Sequence, residues 1–178
     1  NHELRHCLKE CSVDCCFFAE PSAAAECDWI PLRRDELLVW LPENHPKAAA
    51  SSYAIRDLEQ ESFIITLPNR DTEIDRLLKK EHLTPHIGFS TADAYTTYCM
   101  VEAGLGISLN NRLTTQNWKG GVVTLPFDPP QFISLGIAVP SLKEASPAAK
   151  RFIACARAAL SRPPAGAAEG AVTGAGKD

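Results

Sequence analysis

The sequence predicts an α/β fold, with a parallel-rich sheet that carries helices on both faces. Apolar runs of strand length alternate with segments whose apolar residues recur at helical spacing, and turn residues separate them. The chain has 178 residues, of which 45% are hydrophobic and 22% are charged, so it holds enough apolar material for a buried core. No internal repeat of fixed period is present, which excludes a solenoid.

In the first half of the chain, strand signals predominate. The opening segment NHELRHCLKE places Leu4, Leu8 and Cys11 at helical spacing and predicts a helix. The apolar run VDCCFFA predicts a buried strand. Segments 29–32 and 37–41 predict two strands around RRDE. IRDLEQ then predicts a helical turn, and SFIITL predicts another buried strand.

In the second half of the chain, helices and strands alternate more regularly. Residues 71–82 predict a helix with Asp71 or Thr72 as its N-cap, because the first turn is acidic and the last is basic. Ser146 as N-cap and Pro147 as first residue predict a last helix that ends near residue 160. The other predicted segments are a strand at 86–89, a helix at 91–103 ended by Gly104, a strand at 107–109, a helical turn at 110–116, and strands at 122–125 and 132–139.

Charge and hydropathy exclude some classes of protein. Lys and Arg total 18 against 22 Asp and Glu, a net charge of −4, and no basic cluster is present, so this chain is not predicted to bind nucleic acid itself. No apolar run reaches the length of about 18 residues that spans a membrane, and no export signal opens the chain, so we predict no membrane partner. The polar, helical opening is what a chain starting in mid-fold would show. The small residues, Gly and Pro of segment 161–178 predict a flexible tail.

The cysteines predict reduced thiols in a cytoplasmic protein. Their number is seven, and an odd count does not suit a secreted disulfide framework. Cys15 and Cys16 lie in an apolar run, where a free thiol packs as a small hydrophobic group. His2 and His6 have the spacing of metal ligands on a helix, but no second ligand pair completes a tetrahedral site. We therefore predict neither a metal nor a cofactor.

No catalytic motif is present, so no enzymatic activity is predicted. Gly104-Leu105-Gly106 follows a helix and precedes a strand, which is the reverse of a dinucleotide-binding turn. Two polar strand-to-helix turns, residues 66–70 and 90–93, are more informative, because open α/β sheets bind ligands where strands end and helices start. Each turn allows two interpretations, a ligand pocket or a helix cap alone.

Several motifs, in the right order, resemble the effector-binding (substrate-binding) domain of LysR-type transcriptional regulators. WIPLRRDELLVWLPENHPKAAA is similar to the family's pattern of PL, an acidic residue, an apolar strand and P..HP.A. DLEQESFIITLP and LTPHIGF follow, and then YCMVEAGLGISL, which resembles the family's V.aGlGis turn and is the most specific piece. GGVVTLPF and SPAAKRFIACARAAL are similar to its closing strand and last helix, so the resemblance covers about residues 1–160.

The resemblance implies a two-lobed α/β domain like a periplasmic binding protein, in which each lobe is a mixed sheet flanked by helices. Lobe one would comprise residues 1–40 and 134–160, and lobe two residues 41–133, joined by crossing strands at LLVWLP and QFISLGIAV. It also implies that three parts of the family lie outside this sequence: the first strand and helix of lobe one, the winged helix-turn-helix and its linker helix. DNA would be contacted only through that N-terminal part.

The resemblance further implies which residues bind a ligand between the lobes. They come from a strand end in lobe one, two strand-to-helix turns and the second crossing strand: Phe18, Ala19, Asn69, Arg70, Thr72, Thr91, Asp93 and Ser134. Arg70 would either pair with a ligand carboxylate or lie in solvent. The sequence departs from the family at Cys11, where Gly is usual, and at Asn110-Asn111, where an apolar-Pro pair is usual. Asn110 is a secondary candidate, because its amide could contact a ligand.

The resemblance therefore implies the ligand-sensing domain of a bacterial LysR-type regulator. A small molecule, with a carboxylate as the candidate chemistry, would change the angle between the lobes and so the DNA binding of the attached heads. Self-association as a dimer or tetramer is expected. One alternative is a solute-binding protein of a transport system with the same fold. Another is an enzyme on this fold, such as a deaminase-like activity of the tetrapyrrole pathway, but no cysteine is a clear cofactor carrier.

Overall fold

The computed structural model describes residues 2–21, 27–68 and 71–160, and the predicted tail at 161–178 lies outside these residues. A 3₁₀ turn spans Ile55–Gln60, and the rest of the regular structure consists of helices and strands. In chain order these are α1 (His2–Lys9), β1 (Cys16–Ala19), β2 (Asp28–Pro42), β3 (Tyr53–Ala54), β4 (Ser62–Thr66), α2 (Glu73–Lys80), β5 (His86–Thr91), α3 (Ala94–Glu102), β6 (Ser108–Asn111), α4 (Arg112–Thr115), β7 (Val122–Val139) and α5 (Pro147–Leu160).

The larger sheet has the strand order β1-β7-β2-β6, and every pair along this path is antiparallel. The short strand β3 pairs in parallel with β7, and β4 pairs in parallel with β5 in a second sheet. The prediction of a parallel-rich sheet is therefore wrong for the larger sheet, while the α/β class with mixed sheets is confirmed. Apolar runs show that a strand is buried but do not show the direction of its neighbour.

Two predicted strand pairs are single long strands. Segments 29–32 and 37–41 both belong to β2, and the residues RRDE between them pair with β7 instead of turning. Likewise, segments 122–125 and 132–139 both belong to β7. The charged residues suggested a turn, but Asp35 is buried within the strand and hydrogen-bonded, so their polarity does not end the strand.

Apolar clusters lie towards the two ends of the long β2–β7 pair. One end holds a large core that includes Val39, Leu58 and Phe63, with the Trp40 cluster beside it. The other end holds smaller clusters built from α1, β1, α5 and the adjoining parts of β2 and β7. Leu37, which precedes the predicted boundary near residue 40, packs in the large core. The strands β2 and β7 thus connect two apolar centres, and the lobe boundaries near residues 40 and 134 stay a prediction.

Three helices end in the same hydrogen-bonded motif, with one residue in the left-handed region. After α3 this residue is Gly104, as predicted, with φ 75°. After α1 and α2 it is Cys11, with φ 53°, and His82, with φ 56°. In α1 the Cys11 N–H donates to Leu8 O and the Ser12 N–H to Cys7 O, the two bonds of a Schellman motif. At Cys11 and at His82 the chain therefore has a strained residue at a position that favours glycine.

Cys11→Gly is expected to raise the free energy of unfolding by about 0.5–1 kcal/mol. Relief of the left-handed strain is worth about 1–2 kcal/mol, and the greater freedom of glycine in the unfolded chain offsets about 0.4–1 kcal/mol. Urea unfolding of the two proteins measures the difference. Cys11→Ala removes the thiol but keeps the strain, so it should leave the stability nearly unchanged. An equal gain in Cys11→Ala would show that strain is not the cause.

Candidate functional site

A cleft of about 230 Å³ lies where the end of β1, the two long strands and α2 meet. Its floor is apolar, and its rim carries both acidic and basic side chains. The lining residues are Glu20, Leu37, Glu73, Arg76, Leu77, Lys80, Gln131, Phe132, Ile133 and Ser134. A concave site with an apolar floor and a few convergent polar groups is the usual form of a small-molecule site.

Arg76 connects the two sides of this cleft. Its Nη1 donates to the backbone carbonyl of Glu20, just after β1, at 2.7 Å. Its Nε lies 3.2 Å from Asp71 Oδ1, within ion-pair distance but without hydrogen-bond geometry. The Glu20 N–H in turn donates to Ser134 O at 2.8 Å, which ties the end of β1 to β7. Helix α2 is therefore joined to the strand ends by one guanidinium group.

The charges in the cleft are not paired with one another. Glu73 Oε1 is buried, and no group in the described ranges donates a hydrogen bond to it. Lys80 turns outward to Glu81, with 3.3 Å between Nζ and Oε1 and 70% of its side chain exposed. Gln131 Nε2 donates to Pro129 O at 3.0 Å. The cleft thus presents an uncompensated carboxylate and a guanidinium on the same helix.

Ser134 is the one predicted site residue among those that line the cleft in the described chain. Phe18 and Ala19 are buried in β1, immediately before Glu20, with 5% and 6% of their surfaces exposed. Thr72 is the N-cap of α2, directly before Glu73. Asn69 and Arg70 lie outside the described residues. Direct ligand contact by these residues stays a prediction.

The other predicted turn forms a compact hydrogen-bonded cap. Thr91 Oγ1 donates to Asp93 O at 2.9 Å and contacts Thr97 Oγ1 at 2.8 Å. Asp93 caps α3 through Thr96, whose hydroxyl and backbone N–H both donate to it and hold the pKa of the carboxyl below its usual range. Thr91 and Asp93 do not line this cleft. The caps account for the hydroxyl-rich sequence of this turn.

Asn110, the secondary candidate, also has a local role. Its Oδ1 accepts the Asn111 N–H at 2.9 Å, within the turn from β6 to α4. Asn111 Nδ2 donates to the buried Asp35 Oδ2 at 2.6 Å. The Asn-Asn departure from the family pattern therefore connects β6 to β2, and Asn110 does not line the cleft.

Sequence reasoning missed Glu20, Glu73, Arg76 and Gln131 as candidates. In a sequence, Glu73 resembles any acidic residue in the first turn of a helix, and Arg76 resembles any helical surface arginine. One signal was available: Ile74, Leu77 and Leu78 define the buried face of α2, and Glu73 and Arg76 flank that face. The partners across the cleft come from distant segments, which helical periodicity does not reveal.

Thr72→Ala is expected to lower the free energy of unfolding by about 1 kcal/mol. Thr72 Oγ1 accepts the Asp75 N–H at 3.1 Å, and Asp75 Oδ2 accepts the Thr72 N–H at 3.2 Å, so the pair forms a capping box. Thermal or urea unfolding measures the loss. Thr72→Ser keeps the hydroxyl and should be nearly neutral; an equal loss in Thr72→Ser would contradict a capping role.

The family model of the LysR substrate binding domain matches residues 1–161. The chain belongs to this family. The LysR resemblance inferred from the motifs is thereby confirmed, and the alternative of a transport protein is not favoured.

Curated LysR-type relatives are described as HTH-type transcriptional regulators. YvbU of Bacillus subtilis (strain 168), described as uncharacterized, is 31% identical over 134 residues, which cover 74% of this chain and 46% of YvbU. YnfL of Escherichia coli (strain K12), also described as uncharacterized, is 28% identical over 129 residues, which cover 66% of this chain and 41% of YnfL. This chain therefore spans less than half the length of these relatives.

Solved LysR structures share the fold. The regulatory domain of CcmR from Synechocystis PCC6803, in complex with 2-PG, has a TM-score of 0.79 and 20% identity, covering 89% of this chain and 78% of that one. The effector binding domain of QuiR, in complex with shikimate, has a TM-score of 0.76 and 25% identity, covering 89% and 77%. HinK of Pseudomonas aeruginosa, a LysR family transcriptional regulator, has a TM-score of 0.75 and 27% identity, covering 90% and 58%. The two-lobed, periplasmic-binding-protein-like fold is confirmed.

Among the described residues, no helix is both long enough and apolar enough to span a membrane.

Proposed function

We propose that this chain senses a small molecule bound in the cleft and passes the signal to the DNA-binding part of a LysR-type regulator. The observation that carries the proposal is the hydrogen bond from Arg76 to Glu20 O, because it joins α2 to the end of β1 across the cleft. A ligand that enters there meets both sides at once. The affinity of the ligand then depends on the distance between α2 and the end of β1. A ligand with this property can shift a conformational equilibrium.

The cleft suits an anionic group on its basic side. Arg76 keeps guanidinium N–H groups beyond those bonded to the backbone, and the Ser134 hydroxyl lies in the same lining. A ligand carboxylate that binds these N–H groups would draw the guanidinium away from Glu20 O. Ligand binding would therefore change the contact between α2 and β1 and with it the angle of the lobes, taken as residues 1–40 with 134–160 and residues 41–133.

DNA binding is assigned to the N-terminal part that the longer relatives have, since this chain has a net charge of −4 and no basic cluster. The regulator would act in the cytoplasm as a dimer or tetramer, without enzymatic activity. The complexes of CcmR with 2-PG and of QuiR with shikimate support a small-molecule effector of this general kind.

A calorimetric screen of small carboxylates, together with a gel-shift assay of the same chain, tests the proposal. We expect at least one carboxylate to bind with a measurable enthalpy, and we expect no shift of a DNA probe. Tight DNA binding by this chain would overturn the assignment of DNA binding to the N-terminal part. A bound carboxylate whose affinity is unchanged when the large neutral side chain of Ser134→Trp fills the cleft would overturn the assignment of the ligand to this cleft.

A further inference from the structure

The cleft contains two buried polar atoms of opposite charge that make no hydrogen bond in the described chain, although one of them, Arg76 Nε, lies 3.2 Å from Asp71 Oδ1. Glu73 Oε1 and Arg76 Nε are both buried without a hydrogen-bond partner there. They belong to residues three apart on α2, so they lie on the same face of the helix. Both residues line the cleft. A buried unpaired polar atom costs about 1–3 kcal/mol, so Glu73 Oε1, which has neither a hydrogen bond nor an ion pair in the described chain, favours a bound donor.

A ligand with only a carboxylate would leave Glu73 unpaired. It would also place a third negative charge in a small cleft that already contains Glu20 and Glu73. Like charges at short range in a partly desolvated site repel strongly. The nearby cation of Lys80 does not compensate Glu73, because it pairs with Glu81 and is mostly exposed. The carboxylate side of the cleft therefore needs a cationic donor from the ligand.

We infer that the ligand is an amino-acid-like zwitterion. Its ammonium group donates to Glu73 Oε1, and its carboxylate accepts from Arg76 and from the Ser134 hydroxyl. Its side chain packs on the apolar floor formed by Leu37, Leu77 and Ile133. Both charges of the ligand then meet their complements, which is the arrangement that gives charge-assisted hydrogen bonds without uncompensated burial. This inference rests on the proposed function, since it names the ligand class of the same cleft.

Calorimetry with matched ligands tests the inference. The probes are the standard L-amino acids, each compared with the 2-hydroxy acid that replaces its ammonium by a hydroxyl and with the amine that lacks its carboxylate. We expect at least one amino acid to bind about tenfold or more tightly than both of its analogues, because the hydroxy acid offers Glu73 no cationic donor and the amine offers Arg76 no carboxylate.

Variants separate a ligand contact from a structural role. Glu73→Gln should weaken the binding of the amino acid by about tenfold or more and leave the affinity of the hydroxy acid nearly unchanged. It should leave the melting temperature nearly unchanged, because Glu73 Oε1 has no hydrogen-bond partner in the described chain that the substitution could remove. Glu144→Gln is the matched control: Glu144 is exposed and does not line the cleft, so the affinity should not change.

The outcomes distinguish this inference from the proposed function. Binding of hydroxy acids or other carboxylates as tightly as amino acids overturns the inference and leaves the sensing function standing. An amino acid whose affinity is equal in the wild type and in Glu73→Gln also overturns the inference. If neither amino acids nor carboxylates bind, both fail.

Discussion

Trp40→Ala is expected to lower the free energy of unfolding by about 3–5 kcal/mol, the range for truncating a large buried aromatic residue. Trp40 is fully buried, with 0% of its surface exposed. Its ring packs edge-on against Tyr98 at 5.7 Å and Trp118 at 5.9 Å between ring centroids. Removing the indole leaves a cavity between β2 and α3 that the surrounding strands cannot close.

Urea unfolding monitored by circular dichroism measures this loss. Trp40 Nε1 has no hydrogen-bond partner among the described residues, so the effect should come from lost volume and not from a lost hydrogen bond. Trp40→Phe, which keeps most of the apolar volume, should therefore cost much less than Trp40→Ala. Phe132→Ala is a second reference, since Phe132 is 43% exposed. A loss in Trp40→Ala no larger than in Phe132→Ala would contradict the described packing.

Asp35→Ala is expected to lower the free energy of unfolding by about 2–4 kcal/mol, since it removes two hydrogen bonds to a buried charged group. Asp35 is 4% exposed. Its Oδ2 accepts Asn111 Nδ2 at 2.6 Å and the Leu113 N–H at 3.0 Å. Without the carboxylate, both donors lose their buried partner on β2 at the start of α4.

The next residue on β2 provides the control. Glu36 pairs with Arg112 at the surface, where the guanidinium is half-exposed. Exposed ion pairs contribute about 0–1 kcal/mol, so Glu36→Ala should be nearly neutral. Asp35→Asn should be intermediate, because an amide oxygen can still accept both hydrogen bonds but lacks the negative charge that strengthens them. Equal effects of Asp35→Ala and Glu36→Ala would contradict the buried role of Asp35.

Local signals predicted several elements correctly. Ser146 Oγ accepts the Ala149 N–H at 3.1 Å, so the N-cap predicted for α5 is confirmed, and so is the turn at Gly104. Thr72 is the N-cap of α2, one of the two that were predicted. Each of these features depends on residues within one turn of a helix. Their chemistry is therefore visible in the sequence.

Features that depend on distant partners were not predicted. The residues RRDE look like a turn until the pairing of β2 with β7 is known. The antiparallel direction of that pair is likewise set by the whole chain path. Glu20 and Arg76 are far apart in sequence and meet only because β1 ends beside α2. For this reason the motifs identified the family, but the composition of the cleft required the structure.

Hydrogen–deuterium exchange of the full chain, with and without a saturating amino acid or carboxylate that binds in calorimetry, tests the central claim most directly. Ligand binding in the cleft should slow exchange in β1 through Glu20, in α2, and in the part of β7 around Ser134, because those segments line it. Protection should be absent from the same segments in Ser134→Trp, whose large neutral side chain fills the cleft. Slower exchange confined to other segments, such as the surface around Trp118, would contradict the assignment of the ligand site to this cleft.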